Sequence, residues 1–314
     1  MLDYLTLKGV THIFKDNLAS NLLYGTLDFF KWAILGAGGF QNITYNPAIS
    51  GVFGGNRSRL RPVNDPRYVA NTVYEGFRSD WVWESGITGS IQPIRNSGIY
   101  VNNSLVKSVY YIDYPRGRVI FDTPQSGNVN SSFSHRIVGF KPAFDSIVPE
   151  LFFSSYHNES TNFLTGSGDY GILSDLKRQL PLICLDISSN RSFEPYQLGG
   201  GQWCSCQGIF YIMAESSWEK DSLVDLISLQ NDKSFFIPDR ATIKENNRYP
   251  LDLDYKGSLV SNPMEYPEII EKFSWRLVSF SDTRAHNYSP KIYRGINLYL
   301  GVVTTTFVIP MENI

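Results

Sequence analysis

The sequence predicts an α+β fold, on three observations. Short apolar runs bounded by Gly, Pro, Asn and Ser recur along much of the chain, as expected for strands joined by tight turns. A strand, an amphipathic helix and a second strand follow one another between Ser205 and Asp239. Residues from about Leu5 to Leu35 have a helical apolar pattern. We therefore expect a β-rich hairpin module and a small mixed sheet with a packed helix, preceded by a helical N-terminal arm.

The composition excludes several classes of protein. The chain has 314 residues, enough for two domains that each bury a core. A net charge of −2, with 18% charged residues, argues against a protein that neutralises many phosphates of nucleic acid. Three cysteines do not make a disulfide framework, so we expect synthesis in a reducing cytosol. No secretory signal is expected at the start of the chain.

Residues 1–45 are predicted to form the helical arm, which ends at a glycine-rich stretch. An apolar face at helical spacing must pack on the body of the chain or on a neighbouring subunit, and the pattern leaves both open. Its predicted interface residues are Leu18, Leu22, Phe29 and Trp32. Asp28 and Lys31 can pair on the wet face, so we expect no membrane span. If the arm binds a neighbour, deletion of residues 1–40 should leave the body folded and block assembly.

Residues 46–140 are predicted to form the β-rich module with an extended loop. The strongest hairpin signal joins residues 109–114 to residues 118–122 through Pro115 and Gly117, which suit a type I turn with a glycine bulge. Asn102 and Asn103 predict a second tight turn. Residues 81–84 are also strand-like.

A basic cluster lies in the loop between residues 42 and 80. Arginines at this density suit pairing with a neighbour's carboxylates, contact with DNA phosphates, or a solvated surface, and all three readings stay open. The cluster consists of Arg57, Arg59, Arg61, Arg67 and Arg78.

Residues 141–314 are predicted to form the α+β domain with a strand-helix-strand unit of the βαβ type. Ser216 can cap the helix and Glu219 follows at the capping-box spacing. Leu223, Val224 and Ile227 mark its core face, and Lys220 is placed on the wet side. Because the turn before the helix has no glycine, the unit is predicted to be scaffold and not a nucleotide site.

No catalytic, cofactor or metal site is predicted, and the chain is expected not to be an enzyme. Cys204 and Cys206 share one face of a strand, but no further ligands complete a zinc site. The four histidines lie in different predicted elements, so each is expected at a surface or an interface. They are His12, His135, His157 and His286.

Four runs resemble those of virion structural proteins of tailed bacteriophages, especially contractile-tailed phages of cyanobacteria. They are LRPVNDP at residues 60–66, VYEGFRSDWVWE at 73–84, IDYPRGRVIF at 112–121 and YQLGG at 196–200. The layout of the C-terminal half is similar to that of tail-completion and head–tail connector proteins. This resemblance implies a homo-oligomeric ring at the phage neck, between portal and tail, or at the tail terminus.

The resulting hypothesis is a structural virion subunit, assembled in the host cytoplasm, whose edge strands, loops and arm lie on its neighbours. Implied partners are further copies of the chain, the portal or connector, and the tail tube or sheath, with non-specific contact to packaged DNA. The alternative is a tail-fibre or baseplate module that recognises host glycan. In that case Trp81, Trp83, Tyr110 and Tyr111 would stack on sugar rings.

Overall fold

The computed structural model describes residues 18–49, 56–84, 87, 89–94, 98–106, 110–114, 116–143, 179–197, 201–238, 270–272, 274–293 and 296–312. Within these ranges the protein is β-rich, with several sheets and few helices. The helices are α1 (Leu18–Gly36) and α2 (Ser217–Ser228). The described part contains no helix that is both long and apolar enough to cross a membrane.

The N-terminal half contributes most of the short strands. They are β1 (Phe40–Ile43), β2 (Arg61–Pro62), β3 (Val73–Glu75), β4 (Gly98–Val101), β5 (Ser104–Val106), β6 (Tyr110–Asp113), β7 (Arg118–Phe121), β8 (Val129–Arg136) and β9 (Gly139–Pro142). The longer strands follow: β10 (Leu182–Gln197), β11 (Gly201–Ala214), β12 (Ser234–Pro238), β13 (Ser274–Tyr293) and β14 (Ile296–Glu312).

Two four-stranded sheets form the β-rich module. Their strand orders are β1-β8-β4-β5 and β2-β3-β7-β6. Both sheets bury side chains in one hydrophobic cluster, in which Phe133 comes from the first sheet, Val119 from the second and Trp81 from the segment between β3 and β4. A shared core of this kind holds the two sheets together.

The two predicted turns of this module are confirmed. Asn102 and Asn103 both have positive φ, 49° and 66°, in the two-residue turn between β4 and β5. Gly117 has φ of +64° and its N–H donates to the carbonyl of Tyr114 at 3.1 Å. Residues 81–84, in contrast, form no strand, and Trp81 makes only an isolated bridge to His135.

The third sheet has six strands in the order β12-β13-β14-β11-β10-β9. Its pairings are antiparallel except for β9 with β10, which is parallel. Strand β11 pairs with β14 along its whole length, from Gly201 with Glu312 to Ala214 with Tyr299. This long central pair is the frame on which the other strands and the helices are arranged.

Helix α2 begins as predicted. The Ser216 Oγ accepts a hydrogen bond from the backbone N–H of Glu219 at 3.1 Å, and Leu223, Val224 and Ile227 are buried. Lys220 differs from the prediction, because it is buried and its Nζ donates to Asn287 Oδ1 at 2.8 Å.

The two strands that flank α2 do not form a βαβ crossover. Strands β11 and β12 are separated by β14 and β13, and three successive antiparallel pairings make β11 and β12 run in opposite directions. The predicted elements are present, but the helix connects distant, oppositely directed strands. Sequence spacing alone carries no information on which strands insert between them.

The predicted segment boundaries are shifted by long-range pairing. Strand β9 straddles residue 140 and pairs with Leu182–Leu185 of β10, so the end of the β-rich module belongs to the large sheet. Helix α1 also belongs there, because Phe30 packs against Phe140, Phe210 and Phe280. Helix α1 is therefore part of the main core.

Candidate assembly surface

The apolar face predicted for the arm exists, but its partner is the chain's own large sheet. Leu22 is fully buried in the main core, which corrects its assignment to a subunit interface. Phe29 stacks on Phe235 with ring centroids 4.3 Å apart, and Leu18 packs at the margin of the same core. Trp32 packs against the core of the two small sheets. Helix α1 is buried because its apolar face packs against the sheets of its own subunit.

The structure also places most of the predicted arginine cluster on acceptors within the chain. Arg67 binds the Asp65 carboxylate with both Nε and Nη2, at 2.9 and 2.6 Å. Arg59 donates to Asn128 Oδ1, and Arg78 donates to the carbonyl of Leu180 at 3.2 Å. These three guanidinium groups organise their own subunit.

Arg57 and Arg61 complete the cluster. Arg57 is exposed, with its guanidinium carbon 5.6 Å from the centroid of the Phe77 ring. Arg61 lies in β2 and is partly exposed. Arg57 is therefore more accessible to an anionic partner than Arg61.

A buried charge cluster that sequence reasoning missed lies under this region. Arg118 Nε donates to Glu75 Oε2 at 2.8 Å and its Nη1 lies 3.3 Å from Asp65 Oδ2. Hydrogen bonds from Arg67 lower the pKa of Asp65 to about 2. Glu75 and Arg118 are direct partners of strands β3 and β7, so only the strand register could have revealed this pair.

A second set of polar contacts ties the small sheets to the large one. Lys141 on β9 binds Asp80 at 2.9 Å, and the backbone N–H of Ser79 donates to Gln179 Oε1 at 3.1 Å. Burial alone would raise the pKa of Asp80, but Lys141 and Lys31 lower it. Lys31 comes from α1, so three elements meet at this carboxylate. The Asp28–Lys31 pair forms at 3.9 Å as predicted, yet Asp28 is buried and not on a wet face.

His135 is another residue that the structure places differently. It is buried, its Nδ1 lies 2.9 Å from the carbonyl oxygen of Arg136, and Phe77 meets its ring edge-on. Burial lowers the pKa of His135 to about 4. The expected surface or interface position is therefore wrong for His135, whereas His286 is exposed.

Cys204 and Cys206 lie on the same face of β11 as predicted, and both are buried as free thiols. Burial raises the pKa of Cys206 to about 11, which keeps this thiol protonated. Among the described residues, no group of three or more His, Cys, Asp or Glu side chains could hold a metal ion.

The aromatic residues proposed as a glycan platform are mainly core. Trp81 stacks on Phe133 with centroids 4.2 Å apart, and Trp81 and Trp83 are both buried. Tyr110 and Tyr111 are half-buried. Because stacking on a sugar needs an exposed ring face, the two tryptophans are not such a platform in this fold.

The long strands leave two exposed edges on opposite sides of the large sheet. On β10, strand β9 covers Leu182–Leu185, and no described strand pairs with the outer side of residues 186–197. On β13, strand β12 covers Ser274 to Ser279, and no described strand pairs with the outer side of residues 284–289. Most side chains in these stretches are exposed. Exposed edges of this length offer backbone hydrogen-bonding groups to another chain.

Local features limit where the edges can pair. A bulge interrupts β10 between Ile187 and Arg191, and another interrupts β13 between Ser281 and Arg284. Pro195 and Pro290 lack an N–H and bound the regular stretches beyond these bulges. A second register shift in β13 lies between Tyr288 and Lys291. We therefore name residues 191–194 of β10 the β10 edge and residues 284–287 of β13 the β13 edge.

Comparison with known proteins adds no family assignment. No model of a known protein family matches the chain. The chain matches no curated protein either.

Proposed function

We propose that this chain is a non-enzymatic structural subunit of a tailed-phage virion that assembles into a homo-oligomeric ring in the neck or at the tail terminus. The α+β architecture with a tail-completion-like layout belongs to this proposal. Its support is helix α2 packed on the large sheet, together with the sequence runs that resemble phage virion proteins.

One observation carries the assembly part of the proposal: the β10 edge and the β13 edge lie on opposite sides of one sheet. A subunit with different exposed edges on its two sides can join its copies head to tail. Such heterologous contacts produce a ring when the rotation between copies closes.

The remaining partners follow from this role. We propose contacts with the portal or connector and with the tail tube or sheath, through surfaces outside the two edges. Contact with packaged DNA is proposed for Arg57, because Arg59, Arg67 and Arg78 already donate to acceptors in their own chain. Because the net charge is −2, any such contact would be local, and phosphate contact would make it salt-sensitive.

The test is the assembly state of the purified 314-residue chain. Native mass measurement and negative-stain electron microscopy should show closed rings with one subunit number. A chain that stays monomeric over a wide concentration range would refute the ring. Virion placement is tested separately by immunogold labelling of phage particles, which should mark the neck or the tail end and no other site.

A further inference from the structure

We propose that the ring forms by strand addition: the β13 edge of one copy pairs antiparallel with the β10 edge of the next. This inference rests on the proposed ring function and specifies its contact surface. The large sheets of successive copies would then be continuous, and a second copy of this chain is the occupant of both edges.

Strand direction permits this join without turning a copy over. Strands β10 and β13 are separated by three antiparallel pairings, through β11 and β14, and so run in opposite directions within one subunit. Copies related by a simple rotation about a ring axis therefore present β13 and β10 antiparallel to each other. Antiparallel strand addition is a common mode of recognition at exposed edges.

The strands that cover the rest of each edge determine how a neighbour must be displaced. Strand β9 covers only the first residues of β10, and β12 covers only the first residues of β13. Because β10 and β13 run in opposite directions, the two covered parts lie at opposite ends of the sheet. A neighbour that places its β10 edge beside the β13 edge is therefore displaced along the strand direction, with its β9 and the first copy's β12 at opposite ends of the join.

Side chains alternate between the two faces of a strand, and this alternation places opposite charges on the same face at the join. Glu194 pairs with Trp203 on β11, and Arg284 is connected through Thr304 to Ile209 on β11. Trp203 and Ile209 are six residues apart on one strand, and an even separation places them on the same face. Glu194 and Arg284 therefore share a face of the sheet.

His286 lies on this face too, two residues from Arg284. This face is the one opposite α2. Lys220 of α2 binds Asn287, which follows His286 on the strand and therefore points to the other face. The two registers that set Glu194 opposite Arg284 or opposite His286 both keep the faces of the two sheets continuous. Opposite charges at such positions stabilise a strand pair.

Forming the strand join costs little free energy at the residues involved. Within the described part of the chain, the Arg284 side chain forms an ion pair with Asp282 at 3.4 Å, in which both side chains are about 70% exposed. Exposed pairs of this kind contribute little, so Arg284 can turn to a neighbour's Glu194. On the other face, Phe193 is 52% exposed and would be covered by the neighbouring β13 edge.

Charge reversal tests the join. Glu194→Arg and Arg284→Glu should each raise the concentration for half-assembly by at least about tenfold, because like charges then meet at the join. The double variant should restore assembly towards that of the parent chain. Asp225→Arg, at an exposed position of α2, makes the same charge change away from both edges and should assemble like the parent. Circular dichroism and thermal unfolding should show that all four variants are folded.

Disulfide trapping tests the geometry directly. A mixture of Glu194→Cys copies with His286→Cys or Arg284→Cys copies should give covalent dimers on oxidation in at least one combination. Each variant alone should give none, because a head-to-tail join never brings identical positions together. The three native cysteines are buried and serve as an internal background control.

The outcomes separate this inference from the proposed function. Rings that persist in both charge-reversal variants, with no mixed disulfide, would overturn the strand join and leave the ring role standing. A parent chain that forms no ring would overturn both. Disulfides within a single variant would show a two-fold contact and contradict the head-to-tail join.

Discussion

Arg118 is a buried charged residue in the small sheets. It is 2% exposed and pairs with Glu75 and Asp65, both of which are also buried. A buried ion pair adds little net stability compared with a well-packed apolar pair, but removing one partner leaves the other charge unpaired in a low-dielectric environment.

Replacing Arg118 should therefore be costly. We expect Arg118→Met to lower the free energy of unfolding by about 3–5 kcal/mol, because Glu75 loses its cation. Chemical denaturation followed by tryptophan fluorescence measures this. Arg116→Met is the matched control, since Arg116 makes an exposed pair with Asp113, and it should cost less than about 1 kcal/mol. Equal effects of the two substitutions would refute the role of Arg118.

The lowered pKa of Asp65 predicts that the folded protein loses stability in acid. Its pKa is lowered from 3.8 to about 2 in the folded protein, chiefly by hydrogen bonds from Arg67. A lowered carboxyl pKa stabilises the fold above the unfolded value of 3.8, and this stabilisation is lost as the pH falls towards about 2. In pH-dependent unfolding, Asp65→Asn should show a shallower loss of stability than the parent between these values. An unchanged slope would contradict the assignment.

At the scale of single residues, the sequence predicts which side chains form an apolar or a charged cluster, but it does not predict which residues they contact. Leu22 was correctly placed on an apolar helix face, but the covering surface is formed by strands far along the chain. For Arg67 the sequence leaves a neighbour's carboxylates, DNA phosphates and solvent open, whereas in the structure its Nε and Nη2 donate to Asp65 two residues away. Partner identity depends on backbone conformation in the loop, which composition does not specify.

Helix α2 is the element whose local signal is clearest. Ser216 caps it, so Ser216→Ala should lower the free energy of unfolding by about 1 kcal/mol through loss of the bond to the Glu219 N–H. Ser222→Ala, at an exposed position inside the same helix, is the control and should be neutral or slightly stabilising. Thermal or chemical unfolding measures both, and equal losses would argue against the cap.

The hairpin between β6 and β7 depends on one glycine. At Gly117, with φ of +64°, a Cβ would lie 2.5 Å from the carbonyl oxygen of Arg78. We expect Gly117→Ala to cost at least about 2 kcal/mol in unfolding experiments. Gly36→Ala is the control, because a Cβ there meets nothing within 4 Å and the change should be neutral or stabilising. A tolerated Gly117→Ala would contradict the turn geometry.

Turns, caps and strands could be predicted at the element scale because their signals are local. Asn102, Asn103 and Gly117 specify positive φ within a few residues, and the Ser216 cap needs only Glu219. The arrangement of strands could not be predicted, since β14 inserts beside β11 from almost 100 residues away. Long-range pairing is decided by packing against α1 and α2, which no local pattern encodes.

On the scale of the whole molecule, α1 is a structural part of the main core. Leu22, Leu27 and Phe30 are almost completely buried against the large sheet. The expectation that residues 1–40 can be removed without unfolding is thereby corrected. Deletion of these residues should leave the large sheet with an exposed apolar face, and such a surface favours aggregation.

The deletion makes a clear prediction. A chain lacking residues 1–40 should show no cooperative thermal unfolding and no dispersed amide spectrum by nuclear magnetic resonance. The full chain is the control and is expected to unfold cooperatively. A folded, monomeric 41–314 fragment would instead restore the view of α1 as an assembly arm.

The central claim for the whole molecule is that one sheet continues from subunit to subunit. Cryo-electron microscopy of the assembled protein tests it most directly, because neighbouring strands in a sheet lie about 4.8 Å apart. The account predicts density in which β13 of each copy is followed at that spacing by β10 of the next, with Glu194 beside Arg284 or His286. A subunit boundary built from other surfaces, with both edges facing solvent, would contradict it.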